Sequence, residues 1–592
     1  MVAPVTSQSW RPLLIALASV VVYCNSFSGP FVFDDRGTIV DNTTIESLSS
    51  GEVFSAPHET PTAGRPVVNI SFALNYAVGG REVAGYHAVN VTIHLLCGLL
   101  VFGIARRAQP SANAALAIAL IWTVHPLNSE AVDYLTQRTE SVMALFYLLT
   151  LYCAIRASGE SGTQRRWEVA SVLACALGMA SKESMVTAPL AVLLYDRAFL
   201  FASFSQAIRR RSRLYAGLVL TWPVLGWLVW SAPRDLSAGL SAHDADAWTY
   251  LLNQAVMITR YLRLAAWPPD LVLYYGWPLP LALRDVLPQA FLVATLIGVA
   301  AFALWRHPRA GFLCAWFFLV LAPTSSVMPI ATEVGAERRM YLALIPIVAL
   351  AVLGFRRVVR VPWVRAATLV VTASLLGAGT LARNREYRSS LRLAETTLER
   401  WPTPAAHSML GTELAAAGRL GEAERHLREA APIHPPARYY LGSVLADQGH
   451  HTEAIGQLQS FIESQPPALD QVHLARALLG RSLLREGRVE EAAAQYRTVL
   501  ANDPDDLQAM VQLAQIHLRR QQFEEAIPLF RKVLSARPAD PSTLGGLGIA
   551  LASTGRLDEA IEVFRRALEL DPQNEPAQRN LERALSLKGN RR

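Results

Sequence analysis

Charge is what this chain has least of for its size. Asp, Glu, Lys and Arg make up 17% of its 592 residues, against 52% hydrophobic residues. So low a charged fraction, with a positive mean hydropathy, excludes an average soluble multidomain protein, and the length excludes one compact core. Cysteine is scarce as well. Cys24, Cys97, Cys153, Cys175 and Cys314 fall in or beside apolar runs, and no two have the spacing of a metal pair. They read as small buried hydrophobes, and no disulfide framework is implied. No HExxH-type spacing occurs, so neither a metal nor another cofactor is expected. The formal charge of +7 does not point to nucleic acid. Most basic residues before residue 380 lie in clusters beside apolar runs ("ARRAQP", "AIRRRSRL", "LWRHPRAG", "FRRVVRVPW"), where they would anchor membrane helices on the cytoplasmic side.

Long apolar runs are what the sequence has instead. Eleven approach the roughly 20 residues needed to cross a bilayer, near 11–28, 85–105, 111–127, 139–156, 168–180, 185–201, 214–231, 288–305, 311–330, 341–355 and 363–381. The first ends in "SFSGPF", a poor cleavage site, so it reads as an uncleaved helix rather than a signal peptide. The stretch 250–266, "YLLNQAVMITRYLRLAA", carries Arg260 and Arg263 and suits an interfacial or re-entrant helix better than a twelfth span. With a cytoplasmic N-terminus and eleven spans, the arginine clusters at 106–107, 165–166, 209–213, 306–309 and 356–360 all fall on the cytoplasmic side, as the positive-inside rule requires. A twelfth span would reverse the later ones. Eleven spans also put residues 29–84, 232–287 and 331–339, and the C-terminal region, on the opposite, periplasmic or lumenal side.

Beyond about Arg383 the composition changes and the sequence repeats. Five segments, from "GRLGEAERHLREAAPIHP" to "GRLDEAIEVFRRALELDP", end on Pro435, Pro466, Pro504, Pro538 and Pro572. A period near 34 residues, with Gly (Gln521 in the fourth unit), then Ala, then Pro at fixed offsets, predicts helix pairs stacked in an α-solenoid with a concave binding groove. Two irregular intervals, of 31 and 38 residues, should place their missing or extra residues in loops. The tail "RNLERALSLKGNRR" reads as a capping helix. The expected organisation is therefore all-α: a polytopic membrane domain over 1–382, a helical connector over 383–400, and a repeat domain over 401–592.

Ionisable groups near a membrane are costly, so each invites a functional hypothesis. "FVFDDRGTIVDN" supplies Asp34 and Asp35 where the first apolar run ends; "YHAVNVTIH" puts His87, Asn90 and His94 on one helix face. "WTVHPLNSEAVDYLTQRTE" adds His125, Glu130, Asp133, Arg138 and Glu140; "SKES" adds Lys182 and Glu183; "GAERRMY" adds Glu337, Arg338, Arg339 and Tyr341. Each has an ordinary alternative: an interhelical polar stripe, an interfacial ion pair or a solvated loop. Taken together, a carboxylate at the membrane surface with cations nearby suits a polyprenyl-phosphate-linked sugar as donor. The lipid would lie among helices, its phosphate on Arg138, Lys182, Arg338 and Arg339, and a carboxylate would take the proton from an attacking hydroxyl. His87, Asn90, His125, Glu130, Glu183, Glu337 and Tyr341 would support that site. Adjacent carboxylates push one pKa up; which is the base stays open, with a slight preference for Asp35.

Together, "FVFDDRGTIVDN", "GYHAVNVTIHLL", "HPLNSEAVDYLTQRTES", "SKES", "YLALIP" after "GAERRM", and the repeats resemble the transmembrane and tetratricopeptide-repeat O-mannosyltransferase-like family, within the GT-C glycosyltransferases. The resemblance covers nearly the whole chain. It implies that the acidic pair, Asp34 and Asp35 here, is catalytic and that the donor is a dolichyl- or polyprenyl-phosphate mannose. It also implies a polypeptide acceptor, and it supports transfer more strongly than it supports mannose. The Arg- and Ala-rich composition looks bacterial, which implies an inner-membrane protein with periplasmic repeats and argues against the cadherin acceptors of eukaryotic members. Two other functions remain open: a glycan ligase or other lipid-linked-sugar enzyme, and a membrane scaffold whose repeat groove recruits partners.

Overall fold

The computed structural model describes residues 10–57, 60–159, 162–231, 246–326, 330, 332–466 and 470–589. Residues 232–245 of the outer region, residues 327–329 and 331, and the last three residues of the capping tail lie outside the described residues. Among the described residues every regular element is helical, as the all-α reading requires. The chain forms two compact units, Met1–Ala406 and His407–Arg592.

The first unit opens with α1 (Trp10–Val22), α2 (Pro66–Gly79), α3 (Val83–Ala108), α4 (Ala112–Thr123), α5 (Ser129–Asp133), α6 (Arg138–Arg156), α7 (Gln164–Met179) and α8 (Ala188–Phe199). It continues through Ser212–Val219, Trp222–Ser231, Ala247–Ala266, Leu287–Arg306, Pro308–Leu321, Met340–Val358, Pro362–Glu386 and Ser390–Arg400. Each of the eleven apolar runs therefore contains a helix. Among the described residues six helices are, by length and composition, able to cross a membrane, or up to eight if each of two bent pairs is one span. The Ala247–Ala266 helix buries one face, including Tyr250, Gln254, Met257, Ile258 and Tyr261. Arg263 stays outside that face and pairs with Asp270 at 2.6 Å.

Two breaks interrupt the helices of this unit. At the first, His125 precedes Pro126, which disfavours helical torsions at residue 125; His125 sits at φ −77°, ψ 129°. The chain there bends by 55° between α4 and the segment Pro126–Asp133, and the Trp122 carbonyl, which accepts the His125 N–H, also accepts from Asn128 Nδ2 at 2.6 Å. That bend turns Glu130 and Tyr134 away from the line of α4. The second break lies within the connector over 383–400, which is helical on both sides of it. Ser389, in extended conformation, caps a new helix by accepting from the Arg392 N–H and divides the segment. Glu386 ties the pieces together through Arg383 and Arg400.

The unit's core is rich in aromatic residues, with Trp122, Tyr147, Tyr261, Trp316 and Tyr341 all buried. Cys97, Cys153 and Cys175 are buried and Cys314 is half-buried. Cys24 differs from expectation: it lies past the end of α1, in the following turn, and is exposed.

The second unit consists of antiparallel helix pairs. The small residues Ala423, Ala454, Ala492, Ala526 and Ala560 are all at 0% exposure, where close helix crossing admits no larger side chain. The turn inside each pair needs a left-handed residue. Gly418, Gly449, Gly487 and Gly555 supply it with φ of 75–87°, and Gln521 does so at 61°. In the 31-residue interval the missing residues do come from a loop, since Pro436 starts the next helix directly after Pro435. The 38-residue interval differs. Its first helix, Asp470–Arg485, has 16 residues where Leu507–Arg519 has 13, so most of the insertion is nearly one helical turn, which keeps the buried face in register.

Candidate functional site

The site is built around a single turn. The Val32 carbonyl accepts the Asp35 N–H at 2.9 Å, and Phe33, between them, is held at φ 46°. A non-glycine residue in that region costs about 1–3 kcal/mol and persists only where its surroundings force it. Asp35 does much of the forcing. Its Oδ1 accepts from the Thr136 N–H at 2.7 Å and the Thr136 hydroxyl at 2.6 Å, and its Oδ2 accepts from the Val32 N–H at 2.9 Å. Asp35 is wholly buried, whereas Asp34, one residue earlier on the turn, is exposed. The entering arm is fixed by His87, whose Nε2–H donates to the Gly29 carbonyl at 3.1 Å. The leaving arm is fixed by a small satellite core of Ile39, Ile45, Val53, Val68, Phe72, Tyr86 and Leu135. Asn42 pins it further through Asn69 and the Thr38 carbonyl.

Tyr134 and Arg338 act on Asp34 directly, and Arg338 connects it to charged groups of further segments. The Tyr134 hydroxyl accepts the Asp34 N–H at 3.0 Å. Arg338 acts on the Asp34 carboxylate electrostatically and is itself held by Glu130, on side chain and backbone, and by Glu333. Lys182 Nζ meets Glu140 Oε2 at 2.5 Å. Arg65, at the entrance to α2, donates from Nη2 to Glu183 at 2.8 Å and from Nη1 to the Pro61 carbonyl at 2.7 Å. Lys182 feels both Arg65 and Arg338 as neighbouring positive charges, so the three cations form one cluster.

These surroundings shift the ionisations. The protein closes round Asp34 enough for burial to raise its carboxyl pKa, although the residue remains open to solvent; the Tyr134 hydroxyl and Arg338 oppose the rise. Burial pushes Asp35 up to about 7 against its hydrogen bonds from Thr136 and Val32. Burial lowers Lys182, and Glu140 works against that. A carboxylate with a raised pKa, open to solvent and next to a cluster of cations, has the character of a general base beside an anion site.

Several residues expected at the site are elsewhere. Arg138 is fully buried and donates to Asn90, Asn75 and the Ser71 and Tyr86 carbonyls, with its guanidinium over the Phe72 ring. A phosphate cannot reach it without displacing that set, so its role as a phosphate clamp is corrected to a structural one. Arg339 likewise spends its guanidinium on the Thr324, Val334 and Glu333 carbonyls and the Tyr250 hydroxyl. Glu337 accepts from the Val272 N–H and Tyr275 hydroxyl, which fixes a loop. Asn90 bridges Arg138 and the Val132 carbonyl. Tyr341 bonds His94 at 2.7 Å inside the bundle, and His125 serves the bend after α4, with its Nε2 on the Ala265 carbonyl. The structure gathers Asp34, Asp35, Lys182, Glu183, Glu130 and Arg338 in one place, with His87 behind them. It adds Arg65, Tyr134 and Glu333, which the sequence reading missed. Tyr134 lay within a stretch already singled out, but beside its ionisable neighbours nothing marked it; Arg65 stood alone before Pro66, with no partner in sequence. Among the described residues the trio of His, Cys, Asp or Glu side chains with ligand atoms within 4.8 Å is His407, His426 and Glu429, in the second unit.

Comparison with known proteins finds two families along the chain. Residues 61–230 match the family described as dolichyl-phosphate-mannose-protein mannosyltransferase, and residues 378–438, 477–541 and 511–575 match the tetratricopeptide repeat. The human protein O-mannosyl-transferase TMTC4 is 26% identical over 493 residues, covering 70% of this chain and 65% of that protein. Drosophila melanogaster Tmtc2 is 28% identical over 320 residues, covering 51% of this chain and 32% of that protein. Tmtc1 of the same organism is 25% identical over 517 residues, covering 69% and 60%. The chain thus spans less than two thirds of the length of each of these relatives. Among solved structures, MamA MSR-1 C2 is 27% identical, covers 26% of this chain and 88% of that one, and has a TM-score of 0.25.

Proposed function

We propose, with the likeness to proteins named protein O-mannosyl-transferases and the matches to the mannosyltransferase and tetratricopeptide-repeat families as premise, that this chain is a membrane glycosyltransferase. It transfers a sugar, mannose on the strength of those relatives, from a polyprenyl-phosphate donor to a hydroxyl of a polypeptide, with inversion. The reaction takes place at the outer face of an eleven-span bundle, in the inner membrane of a bacterium. The repeats bind the acceptor.

The observation that carries this reading is the division of labour within the acidic pair. Asp34 is exposed and beside the cations; Asp35 is buried and bonded three times. Asp34 is therefore the base, in place of the slight preference for Asp35, and Asp35 holds the turn. The acceptor hydroxyl loses its proton to Asp34 as its oxygen attacks the anomeric carbon, and the bond to the lipid phosphate breaks on the opposite face. Inversion follows from that single displacement. The departing phosphate gathers negative charge, which Lys182 and Arg65 are placed to stabilise. Lys182 is suited to this because one of its three N–H donors engages Glu140 and the others are free to turn to the phosphate.

The test is transfer of mannose from polyprenyl-phosphate mannose by the purified protein in detergent, in Asp34→Asn and Asp35→Asn. Asp34→Asn should lose transfer by about 10²–10⁴-fold with its unfolding temperature unchanged. Asp35→Asn should instead lose about 1–3 kcal/mol of stability, because its new amide N–H₂ faces the Val32 N–H. Wild-type turnover by Asp34→Asn defeats the assignment. In wild type the rate should rise with pH through the raised pKa of Asp34, since a base works only when deprotonated.

A further inference from the structure

The opposite end of the bundle carries a second basic region that the reaction does not use. α3 and α6 both start beside the acidic turn and end at Arg107 and Arg156; α3, with 26 residues, carries its last turn about 39 Å away. Two cavities adjoin there. One, of about 430 Å³, is lined by Arg107, Arg156, Ser158, Thr163, Tyr195 and Leu200 among others. The other, of about 890 Å³, is a mostly apolar groove between α1, α3 and α6, lined by Leu96, Leu99, Leu100, Phe102, Leu145 and Leu149, with Arg106 and Arg107 at its end. Arg107 lines both.

Arg107 is held on a built platform. Gly103 leaves room for the Tyr152 ring, where a Cβ would stand 2.8 Å from Cε2. The Arg107 guanidinium lies over that ring at 4.6 Å and donates to the Gly103 carbonyl at 3.0 Å. Arg156 is set in the same manner over the Trp167 ring at 4.5 Å. Among the described residues neither these two nor Arg106 has a carboxylate within ion-pair distance. Asp196, beside Tyr195 of the smaller cavity, is already occupied by Arg211 at 2.6 Å and by the Tyr215 hydroxyl. This contrasts with the acidic-turn end, where Arg65, Lys182 and Arg338 each have a carboxylate partner.

Guanidiniums without a carboxylate partner among the described residues, in a partly polar cavity at the end of an apolar groove, are complementary to one kind of bilayer component. We propose that this place binds an anionic glycerophospholipid, with its acyl chains in the groove, its phosphate on Arg107 where the cavities meet, and its headgroup against Arg156, Ser158 and Thr163. Basic pockets between membrane helices take anionic headgroups for the same reason: the charge is attracted and the chains stay in apolar surroundings. The lipid would brace α1, α3 and α6, the elements that carry the acidic turn at their other ends.

The experiment uses the full-length protein, purified in detergent and stripped of lipid. Phosphatidylglycerol and phosphatidylcholine with identical chains are added separately, and inorganic phosphate in a third arm. Bound lipid is counted by native mass spectrometry and the unfolding temperature is followed. Phosphatidylglycerol should bind more tightly and raise the unfolding temperature further than phosphatidylcholine, and phosphate alone should leave it unmoved. Arg107→Gln should weaken phosphatidylglycerol about fivefold, and Arg107→Gln with Arg156→Gln about 25-fold, while phosphatidylcholine, whose trimethylammonium group offsets the same phosphate, weakens less. Leu99→Trp, which fills the groove and leaves both arginines, should weaken both lipids. Equal response to the two lipids, an equal shift with phosphate alone, or a retained preference for phosphatidylglycerol in the double variant overturns the proposal.

Discussion

Which cation meets the donor phosphate is decided by the cost of freeing it. Glu183, the partner of Arg65, has a side chain 42% exposed, whereas Glu140, the partner of Lys182, is at 4%. Displacing a solvated carboxylate costs little, since surface ion pairs are worth about 0–1 kcal/mol; stranding a buried one costs several. Arg65 is therefore able to exchange Glu183 for phosphate, Lys182 can add a phosphate contact while keeping Glu140, and Arg338 is committed to Glu130. Arg65→Gln should raise the KM for a polyprenyl-phosphate sugar by about tenfold, the effect of losing one charge-assisted hydrogen bond of about 1.5 kcal/mol; Lys182→Gln should do the same and also lower the unfolding temperature, because it strands the buried Glu140. Arg138→Gln makes the contrast. It should lower the unfolding temperature, because Asn75, Asn90 and two carbonyls lose their donor. Unfolding curves alongside steady-state kinetics separate the two classes, and a selective KM effect in Arg138→Gln would restore it as a phosphate ligand.

At the scale of elements, the same backbone device appears in two settings. Phe33 and Gln521 are the non-glycine residues with positive φ among the described residues. At Phe33 the conformation presents Asp34, so it belongs to the site. At Gln521 no site is involved: the other four units have glycine at this turn, and the fourth meets the same geometric demand with a residue that strains to do so. Gln521→Gly should therefore stabilise the second unit by up to about 1 kcal/mol, the strain relieved less the entropy of a new glycine. Gly555→Ala should destabilise it by about 1–2 kcal/mol. Chemical denaturation of the full chain, following the repeat transition, checks both; a loss of stability in Gln521→Gly would show that its side chain, rather than its φ, sets the turn.

For the whole molecule, the proposed topology has a direct test. Single cysteines at Ser542 and Ser212, both exposed, in a background lacking the five native ones, should react differently with a membrane-impermeant thiol reagent applied to intact cells. Position 542 should label and position 212 should not. Equal labelling of both would remove the eleven-span arrangement, and with it the assignment of the acidic turn to the outer face.

The sequence by itself determined what depends on periodicity and composition. The apolar runs became helices because a chain that buries its backbone polar groups in apolar surroundings has few alternatives. The repeat units followed from the spacing of small residues and prolines, since each small residue marks a helix crossing and each proline a helix end. The acidic turn was also legible, because two carboxylates at the end of an apolar run stand out against it. Tertiary structure alone decided which of the gathered charges face outward. Arg138 and Arg338 are equally prominent in the sequence, but Arg138 is met by Asn75, Asn90 and two carbonyls from α2 and α3, and Arg338 by carboxylates beside Asp34. Asp34 and Asp35 are adjacent and chemically identical, and what separates them is Thr136, about a hundred residues away. A side chain's role here is set by partners that the fold brings from distant segments, and local spacing carries no record of them.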